Sequence, residues 1–461
     1  MTLRDSVSSP GQFFRGRIHP SEAFQLKRAD LLVSERFPSS CASCHIQFQR
    51  RCLTLSDAGC FDGNGESAFA PSAFKWRFRV RMGLGMLSVF VLSGALICGC
   101  GGGGGNTTTT PPATTTTPAV APTFTSSDAQ NGAILVTLAS TTPGAAIHYT
   151  MDGSTPTTTS QIYQAPFLVS TNLTVKALAT ASGYSASAVT TQSFTPNVPP
   201  NTLVWSDEFN NSTSANAQPN AKVWTYDTGS SGFGNNELEN YCAWGSNAAP
   251  CDTANPNAYT DSAGILHIVA RKPAAGVYTS ARLKSQGLFS FQYGRIEARM
   301  KLPEGQGMWP AFWLLGNNIT TINWPACGEL DIMEHIDGNN PPPYVGAPPP
   351  GYDWVAGSVH GTGLNGSNQF HPAGFDASTW HVYGMIWSKG KIEFYVDDPT
   401  ISSNVYATFT PTTQPGTWPF DDGPQFLLLN LAVGGNWPGN PDATTVFPSE
   451  VQVDYVRIYS N

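Results

Sequence analysis

The chain has 461 residues, with 24 Lys+Arg against 32 Asp+Glu and a formal net charge of −8. Only 12% of residues are charged while Gly (45) and Pro (36) are abundant, which argues against long salt-bridged helices and coiled coils and for a β-rich extracellular protein that turns often. Residues 1–81 hold 12 basic and 7 acidic side chains, a net +5, which leaves 12 and 25 elsewhere, a net −13; an acidic body of that kind is unsuited to nucleic acid or anionic lipid.

The first element in chain order is a basic cluster, Lys75, Arg77, Arg79 and Arg81, followed by an apolar run from Met82 to Cys98. That pattern is an export signal, and the run is short for a membrane span of ~20 residues. Cys100 follows Gly99 in a string that resembles a bacterial lipoprotein cleavage site, with lipidation at Cys100; a plain signal peptide or an uncleaved anchor is the alternative. The expected location is extracellular or on the cell-envelope surface, with contact to membrane only through that lipid. Residues 1–81 then read as an over-extended start or a disordered leader, with initiation near Val80 or Met82. The Cys41–Cys44–His45 string in it has the spacing of haem attachment, and Cys52 and Cys60 could suggest zinc, but both precede the export signal and are read as chance matches. Residues 82–100 are the signal. Residues 101–120, rich in Gly, Thr and Pro, cannot build a core and read as a solvated linker.

From Ala121 short alternating stretches are punctuated by Gly, Pro, Asp and Ser about every ten residues, the pattern of a small β-sandwich. The string Ile147–Pro156, with Tyr163, Lys176–Ala177 and Gly183–Tyr184, resembles the chitobiase C-terminal-like repeat, an immunoglobulin-like module. That resemblance covers nearly all of 121–197 and implies a rigid spacer rather than a sugar-binding domain. Asp152–Gly153 reads as a tight turn.

Residues 202–461 carry many short strand candidates and hardly any helical periodicity, which fits one large two-sheet sandwich. The chemistry concentrates in Gly328–His335, GELDIMEH. On a regular strand Glu329 and Asp331 share a face, and Met333 rather than Glu334 would follow them. A one-residue bulge near Met333 would return Glu334 to the side of Glu329, and bulges are over-represented beside active sites. Three carboxylates on one face repel unless solvated or used, and a glycosidic bond flanked by two of them is such a use. The 12 Trp add flat platforms suited to an uncharged sugar.

Nine segments in order, among them WSDEF, GNNELENY, YGRIEARMKLP, GMWPAFWLLG, CGELDIME, SVHGTG and LLLNLAVGGNWPG, resemble glycoside hydrolase family 16 and its laminarinase-like endo-β-1,3-glucanases over essentially all of 202–461. The resemblance implies an all-β chain: a concanavalin-like β-jelly-roll sandwich behind the immunoglobulin-like one. It implies a monomeric retaining enzyme acting on β-glucan polysaccharide, with Glu329 as nucleophile, Glu334 as general acid/base and Asp331 between them setting protonation. It places Asn236, Arg282, Trp309, Trp313, His360 and Trp437 against substrate, with His360 near the acid/base residue. Trp309 is preferred over Trp313, whose alternative is the core, and an exposed structural charge is the alternative for Arg282. Trp205, Trp224, Trp380 and Trp387 read as core. No cofactor is required for catalysis, and the resemblance implies a structural calcium at Glu208, Gly264 and Asp454. Cys242 and Cys251 are close in sequence and exported, so a disulfide between them is expected; Cys327 reads as a buried thiol. A galactan hydrolase of the same family and a non-catalytic glucan-recognition protein are the rival functions.

Overall fold

The computed structural model describes residues 116–210, 214–337 and 353–461. The haem-like string at Cys41–His45, the signal at 82–100, the Cys100 lipidation site and most of the 101–120 linker lie outside them.

The first six strands are β1 (Thr123–Asp128), β2 (Ile134–Ala139), β3 (Ala146–Thr150), β4 (Phe167–Val169), β5 (Leu173–Thr180) and β6 (Thr190–Phe194). β1 is largely exposed and β4 wholly buried, and Val136, Tyr149, Phe167, Val169 and Val175 close a small core of their own. Pro118 and Ala119, from the segment read as linker, lie along Ser185, with Ala119 donating its N–H to the Ser185 carbonyl at 2.8 Å. Asp152 turns the chain by accepting the Ser154 N–H at 2.9 Å, with Gly153 at φ +77°.

Beyond Pro199 the strands continue as β7 (Leu203–Asp207), β8 (Thr225–Asp227), β9 (Glu239–Tyr241), β10 (Ala258–Thr260), β11 (Leu266–Ala274) and β12 (Val277–Ser280). Next come β13 (Arg282–Lys284), β14 (Ser290–Phe291), β15 (Gly294–Lys301), β16 (Met308–Gly316), β17 (Glu329–Glu334) and β18 (Val355–Gly361). The last six are β19 (Leu364–Phe370), β20 (His381–Ser388), β21 (Lys391–Val396), β22 (Val405–Phe409), β23 (Gln425–Val433) and β24 (Ser449–Tyr459). A single short α-helix, α1 (Ile319–Ile322), stands among the described residues.

Two large sheets face each other. One runs β22-β21-β20-β15-β24-β11-β12-β9, with β10 on β11 and β7 on β24. The other runs β1-β2-β4-β14-β23-β16-β17-β18-β19, with β13 on β23 and β8 on β13. Side chains of alternating sequence fill the space between: Phe312 and Leu314 from β16, Leu427, Leu429 and Leu431 from β23, Ile296 and Ala298 from β15, and Val453, Val456 and Ile458 from β24. Each is buried on one face of its strand, which is the packing a two-layer sandwich requires. The chain is therefore the all-β double sandwich its alternation implied.

The small module is joined to the large one by more than its linker. β4 pairs in parallel with β14, Ser290 opposite Phe167 and Phe291 opposite Leu168, so the module's β1-β2-β4 layer continues the second large sheet. Ala133 and Leu168 of the module belong to the large core, while Phe167, one residue away, belongs to the small one.

Candidate active site

The cleft lies on the outer face of the sheet that contains β16, β17 and β23, and its geometry follows from strand register. One row across the sheet reads Arg282, Asn430, Ala311, Glu334 and Ala356; the next reads Leu428, Trp313, Asp331, Ser358 and Ser367; the third reads Phe426, Leu315, Glu329, His360 and Asn365. The carboxylates thus occupy neighbouring rungs of one ladder. The register makes this possible through an irregularity: Phe312 faces Met333 but Trp313 faces Asp331, so one extra residue is absorbed at Ile332–Met333. Against β18 the same offset appears between Asp331 and Glu334. Leu330, Ile332 and Met333 all enter the core, which frees Glu334 to rejoin Glu329 and Asp331 on the cleft face. Gly328 delivers the chain into β17 at φ +82°, a conformation that favours glycine, with Pro419 close against it.

The cleft encloses about 980 Å³. Glu329, Asp331 and Glu334 all line it, yet each is largely withdrawn from water. Burial pushes the Glu329 carboxyl up to about 8, helped by the charge of Asp331 and opposed by His360. Burial alone takes Asp331 to about 8. Glu334 is raised to about 8 by burial and by Asp331, against the pull of His360 and hydrogen bonds from Trp309 and Ser358. Such a cluster titrates as a unit, keeping a proton among its members rather than ionising all three. The Trp309 indole N–H donates to Glu334 Oε1 at 3.1 Å.

The structure places each expected residue. Arg282, on β13, is in the cleft: its guanidinium lies 4.6 Å over the Trp313 ring and 5.1 Å from Phe233, with Asp227 at 3.0 Å. Trp309 and Trp437 both line the cleft and meet edge to face at 5.4 Å. Trp313 lines it as well, though it is 9% exposed and packs with Leu315 and Leu428, so cleft wall and core coincide there. His360 lies beside Asp331 (3.0 Å) and Glu329 (4.0 Å), on the Glu329 side of the ladder rather than beside Glu334, because its register partner is Glu329. Asn236 is not a lining residue. The turn from Gly232 to Glu237 holds it at φ 57° with its side chain donating to Asn436 at 2.8 Å, and Asn235 and Glu237 face the cleft instead. Trp205, Trp224 and Trp387 are core, whereas Trp380 is half-buried on a strand-flanking turn with Arg299 4.7 Å from its ring.

Sequence reading missed Asn430, Trp324 and the polar row Asn365, Ser367 and Gln369 on β19. Asn430 had a signal: it is the one polar residue inside the apolar run FLLLNLAV. Trp324, 57% exposed at the cleft mouth, had none beyond being aromatic.

The expected disulfide is present, Cys242 to Cys251 with Cα atoms 5.7 Å apart. Cys327 is a buried thiol whose pKa burial raises to about 11, unsuited to nucleophilic work. At the expected calcium position, Gly264 approaches the Glu208 carbonyl, but the Glu208 carboxylate is held by Arg457 at 2.8 Å and Asp454 by Arg299 at 2.7 Å. The resemblance implies backbone carbonyls and one aspartate as donors, and Arg299 already pairs that aspartate, so as it stands this donor set does not fit a cation.

Residues 245–457 match the family described as glycosyl hydrolases family 16, and residues 136–194 match the one described as Fn3 associated. The chain is 39% identical over 274 residues to a beta-glucanase of Rhodothermus marinus, covering 56% of this chain and 84% of that protein. The chain belongs to glycoside hydrolase family 16. It is a glycoside hydrolase with relatives among β-glucanases. It is 33% identical to glucan endo-1,3-beta-glucosidase A1 of Niallia circulans, of whose length it spans only 37%. Among solved structures, the laminarinase catalytic domain of Thermotoga maritima is 36% identical, with a TM-score of 0.46, covering 56% of this chain and 98% of that one. In family 16 terms the bulged strand is the feature that matters, since it supplies three carboxyls to one cleft.

Proposed function

We propose that this family 16 protein is a retaining endo-glycosidase that cleaves internal β-1,3 bonds of laminarin-type β-glucans. The observation that carries the reading is the set of three buried carboxyls which the β17 bulge gathers on one face. In the first step a Glu329 carboxylate oxygen attacks the anomeric carbon, the glycosidic C–O bond breaks, and the Glu334 proton passes to the departing oxygen. In the second step Glu334 takes a proton from water, whose oxygen displaces Glu329 and restores the original configuration. Asp331, held by His360, adds the negative charge that keeps a proton on Glu334. Arg282, Asn235 and the Trp309–Trp437 pair supply polar and flat surfaces for sugar rings. The β-1,3 choice draws on the relatives named above and on the laminarinase-like motifs.

Glu329→Gln and Glu334→Gln are expected to lower kcat on laminarin by at least about 10²–10⁴-fold, read as reducing-sugar release. Full activity in either variant would sink the assignment. A panel of laminarin, lichenan, agarose and carrageenan separates the β-glucan reading from a galactan hydrolase. Export and lipidation at Cys100 form part of the same proposal. Recovery of peptides from residues 1–74 in the exported protein would contradict it.

A further inference from the structure

Behind the Arg282 wall of the cleft lie two carboxyls that the chemistry above does not use. Glu237 reaches the cleft at 9% exposure, and Glu239 on β9 is fully buried. Glu239 Oε2 accepts the Val433 N–H, and its other oxygen, Oε1, has no conventional donor. The two carboxyls face each other within hydrogen-bonding reach, and neither can donate unless one carries a proton.

The direction of the surrounding hydrogen bonds says which one does. The indole N–H of Trp313 can only donate, and it donates to Asn430 Oδ1 at 2.7 Å. Asn430 therefore turns its Nδ2 to the Tyr241 oxygen at 3.3 Å. Tyr241 in turn donates its O–H to Glu237 Oε2 at 2.8 Å, and Asn235 Nδ2 approaches Glu237 Oε1 at 3.4 Å. Every donor in the chain runs toward Glu237, so Glu237 is the acceptor at its end and Glu239 holds the hydrogen.

We propose that Glu237 and Glu239 share one proton, carried on Glu239, and act as a positioning pair that holds Trp313 and Asn430 for substrate. Burial favours the neutral form of Glu239, and the Glu237 charge adds to it. The charged and titratable groups facing the pair are Tyr241 on the same strand, Tyr278 opposite Glu239 on β12, and Arg282 on β13 with its partner Asp227, which also holds Lys284. Neither carboxyl touches the reacting atoms. Loss of the proton would set two adjacent anions repelling and pull the Tyr241–Asn430–Trp313 chain out of register, so the effect falls on substrate binding. This rests on the β-glucan reading only for the choice of substrate.

The test compares the full chain with Glu239→Gln and Glu239→Leu. Glutamine keeps a donor toward Glu237 and an acceptor for the Val433 N–H, while leucine keeps neither. On laminarin, E239Q is expected within about threefold of the parent, and E239L is expected to raise KM about tenfold or more with kcat little changed. The parent's KM should rise as pH climbs through about 8, and that of E239Q should not rise in step. A second readout needs no substrate. A carboxyl whose pKa is raised on folding loses stability as pH rises from its unfolded value of about 4.3 toward its folded one, and glutamine does not titrate. The Tm of E239Q should therefore gain on the parent between pH 5 and about 8 and level off above. A folded E239Q as impaired as E239L, or a Tm difference independent of pH, overturns the proposal. If no β-glucan is hydrolysed, the substrate reading fails and the pH dependence of Tm still judges the pair.

Discussion

Glu334 owes its proton to its surroundings: burial and the charge of Asp331 raise it, and the Trp309 N–H works the other way. Replacing Asp331 by Asn removes a negative neighbour, so Glu334 should lose its proton at lower pH. The alkaline limb of the kcat/KM profile should then move down by on the order of one pH unit; a limb that stays in place would show that Asp331 does not set that proton. Trp309→Phe keeps a ring for sugar but removes the donor to Glu334, so the same limb should move slightly the other way. The three carboxylates were legible because their spacing is local and their chemistry demands a shared face. Asn236 was misplaced because a tight turn with four left-handed residues, Gly232, Phe233, Gly234 and Asn236, decides which of two adjacent asparagines faces the cleft. Periodicity carries no record of that choice.

The bulge is the element on which the site depends. Deleting Met333 leaves Glu-Leu-Asp-Ile-Glu, in which strict alternation keeps all three carboxyls on the cleft face while one buried side chain is lost from the core. The expected result is retained but reduced hydrolysis and a fall in unfolding free energy of about 2–5 kcal/mol, measured by urea titration, because the Met333 side chain no longer fills its place among Leu330 and Ile332. Complete loss of hydrolysis in a folded variant would mean that the bulged spacing itself, not the shared face, sets the site. The strands themselves were readable from alternation and β-branched content. Their order was not: β17 lies between β16, a near neighbour in sequence, and β18, which follows it, but β23 reaches β16 from more than a hundred residues away and brings Asn430 with it. A cleft wall built from distant strands leaves no local signature beyond one polar residue in an apolar run.

At the scale of the whole molecule, the immunoglobulin-like module covers an edge of the catalytic sheet instead of hanging from a tether. Backbone bonds cross the junction, with Ser290 donating to Pro166 at 2.9 Å and Gln130 to Val204 at 3.1 Å, and Leu168 enters the large core. A chain beginning at Pro199 would expose the β14 edge and that apolar contact. Its Tm, by calorimetry, should lie at least about 4 °C below the full chain's, from a loss of one to two kcal/mol; an unchanged Tm would make the module an independent spacer. By itself the sequence determined the all-β class, the two-module order, the family and the catalytic strand, because composition, alternation and short motifs act over a few residues. Only the tertiary structure decided which asparagine faces the cleft, where His360 stands, that arginines hold Glu208 and Asp454, and that the modules share one sheet. Those outcomes depend on register between strands far apart in the chain, and register is set by packing that no local pattern contains.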